Sequence, residues 1–305
     1  MRILVTGVTG QVGGALVKCF GPDGSIVAAG RGQLDLARPA ELANALDRLA
    51  PDLIINPAAY TAVDRAEDER ELAFRVNAEA PDAMARWAAA RGVPLIHFST
   101  DYVFDGLGDR PWREDDPTNP LSVYGASKLA GEAAIRAAGG PFLIIRTSWV
   151  YAAHGANFLR TIARLARGRQ ELRIVADQCG APTSARLIAD VVVAIVRNNP
   201  DALAARFAAS AGLLNVAASG ETTWHGFAVA IIEGLKARGV ALAVESVVPI
   251  ATADFPTRAR RPANSRFDLT RLKEMFHITT PDWSSALAVE LDQLAAELNQ
   301  ATATR

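Results

Sequence analysis

The sequence predicts an α/β fold, a doubly wound parallel sheet followed by a smaller C-terminal region. Three observations carry that expectation. Through the first 150 residues, short and continuously apolar runs alternate with longer stretches of helical, Ala-rich spacing. Those runs lack in–out alternation, as strands covered by helices on both faces do. A turn with regularly spaced glycines, Thr6-Gly7-Val8-Thr9-Gly10-Gln11-Val12-Gly13, follows the first run and opens a helix. That placement makes the sheet Rossmann-type.

Residues 2–6 read as the first strand, 11–20 as a helix, 26–29 as the second strand and 39–50 as a helix. Strands follow at 53–56, 95–99 and 142–149, separated by helices over 68–91 and 123–138. After residue 150 the rhythm loosens. Helices are expected at 156–168, 185–198, 223–237 and 284–299, with fraying at the chain end. Residues 177–184 read as loop, and 244–266, rich in Pro, Arg, Asn and Ser, as irregular. The expected division is 1–150 for a dinucleotide-binding domain and 151–305 for a mainly substrate-binding region, with segments returning to the first domain.

Of 305 residues, 50% are hydrophobic and 21% charged, and the net charge is -1. This balance offers no footprint for nucleic acid or an anionic membrane. No apolar run approaches the roughly 20 residues of a membrane span, and the N-terminus reads as a strand rather than a signal peptide. A cytoplasmic location is therefore expected. Cys19 and Cys179 are too few for a disulfide framework. The histidines at 97, 154, 225 and 277 show no metal-ligand spacing, so no metal is expected.

In the glycine turn, Gly7 permits the tight bend, Gly10 lets backbone N–H groups approach a pyrophosphate, and Gly13 lets helix and strand pack closely. Gln11 and Val12 open the helix, whose N-terminus favours negative charge. The second strand ends Ala28-Ala29-Gly30-Arg31-Gly32, with no carboxylate to repel a 2′-phosphate. Arg31 either pairs with that phosphate or is a solvated loop charge. The expected cofactor is NADPH, with NADH also open. Asp35 and Leu36 are placed beside the adenine, and the small residues Ala58 and Ala59, with Tyr60, leave the third strand to lie against the cofactor.

Tyr124 and Lys128 stand four residues apart, on one face of a helix. A cation beside a phenol favours the phenolate, so the pair can pass a proton to an alkoxide formed on carbonyl reduction. Thr100, in Phe98-Ser99-Thr100-Asp101-Tyr102-Val103-Phe104-Asp105-Gly106, sits at a strand end, where open α/β sheets bind ligands. Its hydroxyl can hold the substrate carbonyl.

At these residues the chain resembles the extended short-chain dehydrogenase/reductase family, and more narrowly the branch acting on nucleotide-linked 6-deoxysugars. The resemblance runs through TGVTGQVG, STDYVFDG, PLSVYGASKLAGE, RTSWVYA, DQCGAPTSARLIAD and RRPANSRFDLTRL. It implies a reduction, by NADPH or NADH, of the 4-keto group of a dTDP-linked 4-dehydro-6-deoxysugar. Thr100, Tyr124 and Lys128 would be catalytic, with Tyr124 and Lys128 also touching the cofactor. Thr100, Asp101, Tyr102 and Trp149 would line the sugar pocket, where Trp149 either stacks on the sugar or is a core residue. Asn157, Arg261 and Asn264 are candidates for the nucleotide end, Arg261 being alternatively a structural ion pair. Some relatives form a metal-linked dimer through glutamates at places that are Ala15 and Arg186 here, which cannot hold Mg²⁺. A monomer or weak homodimer is expected. The alternatives are another nucleotide-sugar ketoreductase, an epimerase, or a non-catalytic dinucleotide-binding subunit.

Overall fold

The computed structural model describes residues 1–21, 26–198 and 200–303. The chain end expected to fray, 304–305, lies outside the described residues. The first half runs β1 (Ile3–Val5), α1 (Gln11–Phe20), β2 (Ile26–Ala28), α2 (Pro39–Leu49), β3 (Leu53–Asn56), α3 (Val63–Ala66), α4 (Arg70–Phe74), a π-turn (Arg75–Glu79), α5 (Ala80–Arg91), β4 (Leu95–Thr100), α6 (Val123–Ala138) and β5 (Phe142–Thr147). The second half runs β6 (Val150–Tyr151), α7 (Phe158–Gly168), β7 (Glu171–Val175), β8 (Cys179–Gly180), β9 (Thr183–Ser184), α8 (Ala185–Asn198), α9 (Leu203–Ala209), β10 (Leu213–Asn215), β11 (Thr222–Thr223), α10 (Trp224–Ala237), β12 (Ser246–Ile250), α11 (Thr270–Phe276) and α12 (Trp283–Ala303).

The central sheet has the order β10-β5-β4-β3-β1-β2, and its strands are parallel throughout. The order reverses at β1, so a crevice opens at the C-terminal ends of β1 and β3, where such sheets take their ligands. Strands β1, β3 and β4 are buried along their whole length, which explains their unbroken apolar reading. One core packs α1 and α8 against one face; Leu16, Ile55, Ile96, Ile188 and Val192 belong to it. Another covers the opposite face with α2 and α5, through Leu42, Leu46, Met84 and Trp87. A third, around Phe227, Ile231 and Leu291, joins α7, α10 and α12.

Several expectations need correction, among them the strand over 142–149, which ends at Thr147, and the loop over 177–184, which carries β8 and β9. The single helix over 68–91 is instead α4, a π-turn and α5. The π-turn turns Asn77 fully inward, where its side chain bonds Tyr60 and Ser127. The stretch 244–266 is not wholly irregular, because β12 pairs in parallel with β7 from Ser246↔Glu171 to Ile250↔Val175. Pro249 reads as a strand breaker, but in a two-stranded ribbon its missing N–H can fall on the unpaired side.

Candidate functional site

The glycine turn sits as its spacing demands. Gly7 has φ +56°, and a Cβ there would come within 2.9 Å of Ala58 Cα. A Cβ on Gly13 would overlap the Gly7 carbonyl. The N-terminus of α1 has no side-chain cap and no acidic residue in its first turn. Its N–H groups and partial positive charge are thus available to a diphosphate. Gln11 is held from across the crevice by Asn157 Nδ2 at 2.8 Å. Arg31 is exposed and has no ion pair among the described residues. Asp35 accepts the Ala37 amide, while Leu36 is buried beside Leu34. Only the backbone or the edge of Leu36 can therefore meet an adenine. Ala58 and Ala59 are partly exposed. Tyr60 is clamped by Asn77, and its hydroxyl donates to Glu69 at 2.7 Å.

Thr100 ends β4, and Tyr124 lies in the first turn of α6, which Ser122 caps. Gly125 makes this approach possible, since any Cβ there would strike the Tyr102 carbonyl. The Thr100 hydroxyl donates to Asp101 Oδ1 at 3.0 Å and receives the Tyr102 amide at 3.2 Å, and Thr100 is near enough to Tyr124 to favour its phenolate. Asp101 is in turn held by Ser265 Oγ at 2.5 Å. Burial pushes the Asp101 carboxyl up to about 6, opposed by the bonds from Ser265 and Thr100. Tyr102 packs edge-on against Tyr124, with ring centroids 5.4 Å apart. Burial pushes the Tyr102 phenol up to about 12, with Arg261 pulling the other way.

Lys128 does not act as its spacing suggests. Its Nζ lies 3.2 Å from His97 Nε2 rather than against the phenol. Burial lowers Lys128 to about 8 despite Glu132 on the same helix. Tyr124 is accordingly pushed up by burial, with only the Thr100 bond opposing. A cation lowers a phenol's pKa only where it faces it and carries charge. Here Lys128 faces the sheet, so the expected tuning of Tyr124 is absent from this arrangement.

Trp149 also departs from expectation. It adopts φ +48°, rare for a bulky residue. One face of its indole is stacked on Trp224, with centroids 3.6 Å apart. Gly180 lies on the other face, where a Cβ would come within 2.6 Å of the ring. With both faces covered, Trp149 presents an edge and cannot stack on a sugar in this arrangement. Asn157 and Asn264 are likewise spent on structure. Asn157 caps α7 and donates to the carbonyls of Ala152 and His154. Asn264 is buried and donates to Arg110 O at 2.7 Å. Of the two readings of Arg261, the structure shows the ion pair, at 2.6 Å to Asp64, and adds a 3.4 Å bond to the Tyr102 hydroxyl.

Several residues were not singled out from sequence. Ser265 orients Asp101, Trp224 covers Trp149, and Asn56 with His97 forms a polar pair inside the sheet. The last pair left a signal, because two polar residues interrupt otherwise apolar strands at register-matched positions. The hydroxyls of Ser99, Thr147 and Ser148, at the C-terminal ends of β4 and β5, are buried without a partner. Such orphaned groups fit a polar ligand reaching into the crevice. Arg186 is paired with Glu290 at 3.1 Å, and Ala15 is buried. No group of His, Cys, Asp and Glu among the described residues could hold a metal. Nor is any described helix long and apolar enough to cross a membrane.

A parallel sheet with a glycine turn at its switch point, and Thr100, Tyr124 and Lys128 gathered at β4 two strands away, defines a dinucleotide-binding protein of the extended short-chain reductase type. Within that class, the chain belongs to the RmlD substrate binding domain family, whose model matches residues 1–296. It is 46% identical over 300 residues to dTDP-4-dehydrorhamnose reductase of Burkholderia thailandensis, covering 97% of this chain and 100% of that one. A crystal structure of a dTDP-4-dehydrorhamnose reductase from Clostridium acetobutylicum superposes with a TM-score of 0.87 at 33% identity, covering 96% of this chain and 99% of that one. One from Bacillus anthracis in complex with NADP gives 0.84 at 32%, with the same coverage.

Proposed function

We propose that this protein reduces the 4-keto group of dTDP-4-dehydro-L-rhamnose to give dTDP-L-rhamnose, with NADPH as the preferred hydride source. The observation that carries the reading is the placement of Thr100 at the end of β4 with Tyr124 in the first turn of α6, packed on Tyr102, in a chain whose relatives of the same length bear that enzyme's name.

The uncapped N-terminus of α1 and the open Gly7–Gly13 cradle fit a dinucleotide diphosphate. Arg31 stands where a 2′-phosphate would need a cation. When bound, a reduced nicotinamide supplies the hydride. Thr100, placed by Asp101 and the Tyr102 amide, would turn its single hydroxyl proton from Asp101 Oδ1 to the substrate carbonyl oxygen and so orient it. Tyr124 gives its hydroxyl proton to that oxygen as negative charge develops. Its raised pKa leaves it fully protonated near neutrality, so it is ready as an acid. Asp101, held by Ser265, anchors the Thr100 hydroxyl until a substrate oxygen takes its proton. Trp149 and Tyr102 bound the sugar pocket by edge and ring. A cytoplasmic site of action and a monomer or weak homodimer complete the reading; the Arg186–Glu290 pair and buried Ala15 offer no ligand set for a metal-linked dimer.

The test is turnover of purified protein with the keto sugar nucleotide and each cofactor in turn. NADPH consumption matched by rhamnose nucleotide supports the proposal. Saturated cofactor with no consumption overturns it.

A further inference from the structure

A line of buried polar groups runs beneath the proposed active site. Thr6, just before the glycine turn, donates its hydroxyl to Asn56 Oδ1 at 2.6 Å and receives the Ala58 amide at 3.3 Å. Asn56 Nδ2 lies 3.1 Å from His97 Nδ1. His97 Nε2 lies 3.2 Å from Lys128 Nζ. Thr6, Asn56 and His97 are each 1% exposed and Lys128 2%. The four residues come from the end of β1, from β3, from β4 and from α6. Polar groups this deep are costly unless paired. Sheet packing gives no reason for an imidazole in β4 between Ile96 and Phe98.

The donor inventory fixes the ring. Asn56 spends its carbonyl on the Thr6 hydroxyl, so its N–H faces Nδ1, which must accept. The proton of the neutral imidazole then sits on Nε2 and is donated to Lys128 in its neutral amine form, since an ammonium has no lone pair to accept it. The ring is neutral, because burial, reinforced by the Lys128 charge, holds its pKa well below the usual value. Both ring nitrogens are thereby used, and neither is left for a substrate.

We propose that His97 is a positioning residue for the reduction: anchored by Asn56 and Thr6, its Nε2 fixes the Lys128 amino group and so couples the glycine turn to the Tyr124–Lys128 pair. The inference rests on the acid role given above to Tyr124 and on the cofactor contact that the family resemblance implies for Lys128, not on a contact between the two side chains. The charged groups that bear on Lys128 are few. Glu132 on α6 favours its ammonium form and is itself held by Arg146 of β5 at 2.6 Å. His97 is the partner that the sheet supplies. Without it, the four-carbon stem is free to swing, and the ammonium form gains.

Asparagine and glutamine separate the two halves of the imidazole. His97→Asn keeps a group near the Nδ1 position, bonded to Asn56, and loses the reach to Lys128. His97→Gln reaches the Nε2 position and keeps that contact. The expected result is a kcat within about threefold of wild type for His97→Gln, and about tenfold or more lower for His97→Asn, with KM nearly unchanged. The pH–rate limb of His97→Asn should move to alkaline pH, since a neutral Lys128 loses its donor. A second readout needs no substrate. Long-range proton–nitrogen NMR of the wild-type protein, above the Lys128 value of about 8, should show His97 neutral with its proton on Nε2, and its ring shifts should change as Lys128 gains its proton below that value. A proton on Nδ1 above that value, or equal kcat in the two variants, overturns the proposal. Wild-type protein that shows the Nε2 tautomer but reduces no keto sugar overturns the reductase reading instead.

Discussion

Tyr124 is the residue assigned to protonate the substrate oxygen, and burial makes it a weak, fully protonated acid. Tyr124→Phe keeps the ring packed on Tyr102 and removes only the proton. Turnover should fall by roughly 10²–10⁴, with little change in cofactor affinity, as stopped-flow kinetics and fluorescence titration can measure. Arg31 makes a second residue-scale forecast. A charge-assisted contact contributes about 1.5–3 kcal/mol, so Arg31→Ala should raise KM for NADPH roughly tenfold or more and leave KM for NADH nearly unchanged. Equal effects would mean that Arg31 is only a solvated loop charge. Lys128 makes a third forecast, in stability. Burial holds it at about 8 in the folded protein, below the usual 10.5. Between those values the unfolded chain binds more protons, so stability rises with pH across that window. Below about 8 both states are charged and the full burial cost remains, at most roughly 3 kcal/mol. Lys128→Met should abolish that rise, as urea denaturation at about pH 8 and about pH 10 would reveal.

The elements explain which of these features could be read from sequence. Strands β1, β3 and β4 were legible because burial on both faces forces continuous apolar runs. The glycine turn was legible because Gly7 and Gly13 are required by close backbone contacts, whatever surrounds them. The direction of Lys128 was not legible. Helical spacing places it on the Tyr124 face, but a buried partner two strands from the glycine turn decides where its amine goes. Nor could spacing show that Gly180 and Trp224 close both faces of Trp149, since these residues meet only through loops far apart in sequence. The π-turn escaped because Ala-rich composition favours a plain helix, whereas the inward Asn77 and the Gly131 contact are tertiary. Strand β5 illustrates a further override. Arg146 interrupts its apolar run and is only 3% exposed, with Glu132 bidentate upon it at 2.9 and 2.6 Å. Glu132→Gln should leave that guanidinium uncompensated and destabilise the protein by about 3 kcal/mol, read as a lower urea midpoint at unchanged m-value.

At the scale of the whole molecule, the late chain closes the site that the early chain builds. Ser265 reaches Asp101, Arg261 reaches Tyr102 and Asp64, and Asn157 reaches Gln11. The C-terminal part also supplies β10 to the edge of the main sheet and α8 to the core beside α1. Early and late parts of the chain are thus joined by shared hydrogen bonds around the crevice, a layout that suits the proposed reduction of a carbonyl between Thr100 and Tyr124. The central claim is a hydride transfer to carbon four of a deoxysugar nucleotide, and isotope labelling tests it directly. With NADPH deuterated at the transferring position of the nicotinamide and the 4-keto sugar nucleotide as substrate, NMR of the product should show deuterium at C4 of dTDP-L-rhamnose, in the rhamno configuration. Deuterium absent from C4, or a product with the opposite hydroxyl configuration there, would contradict the account.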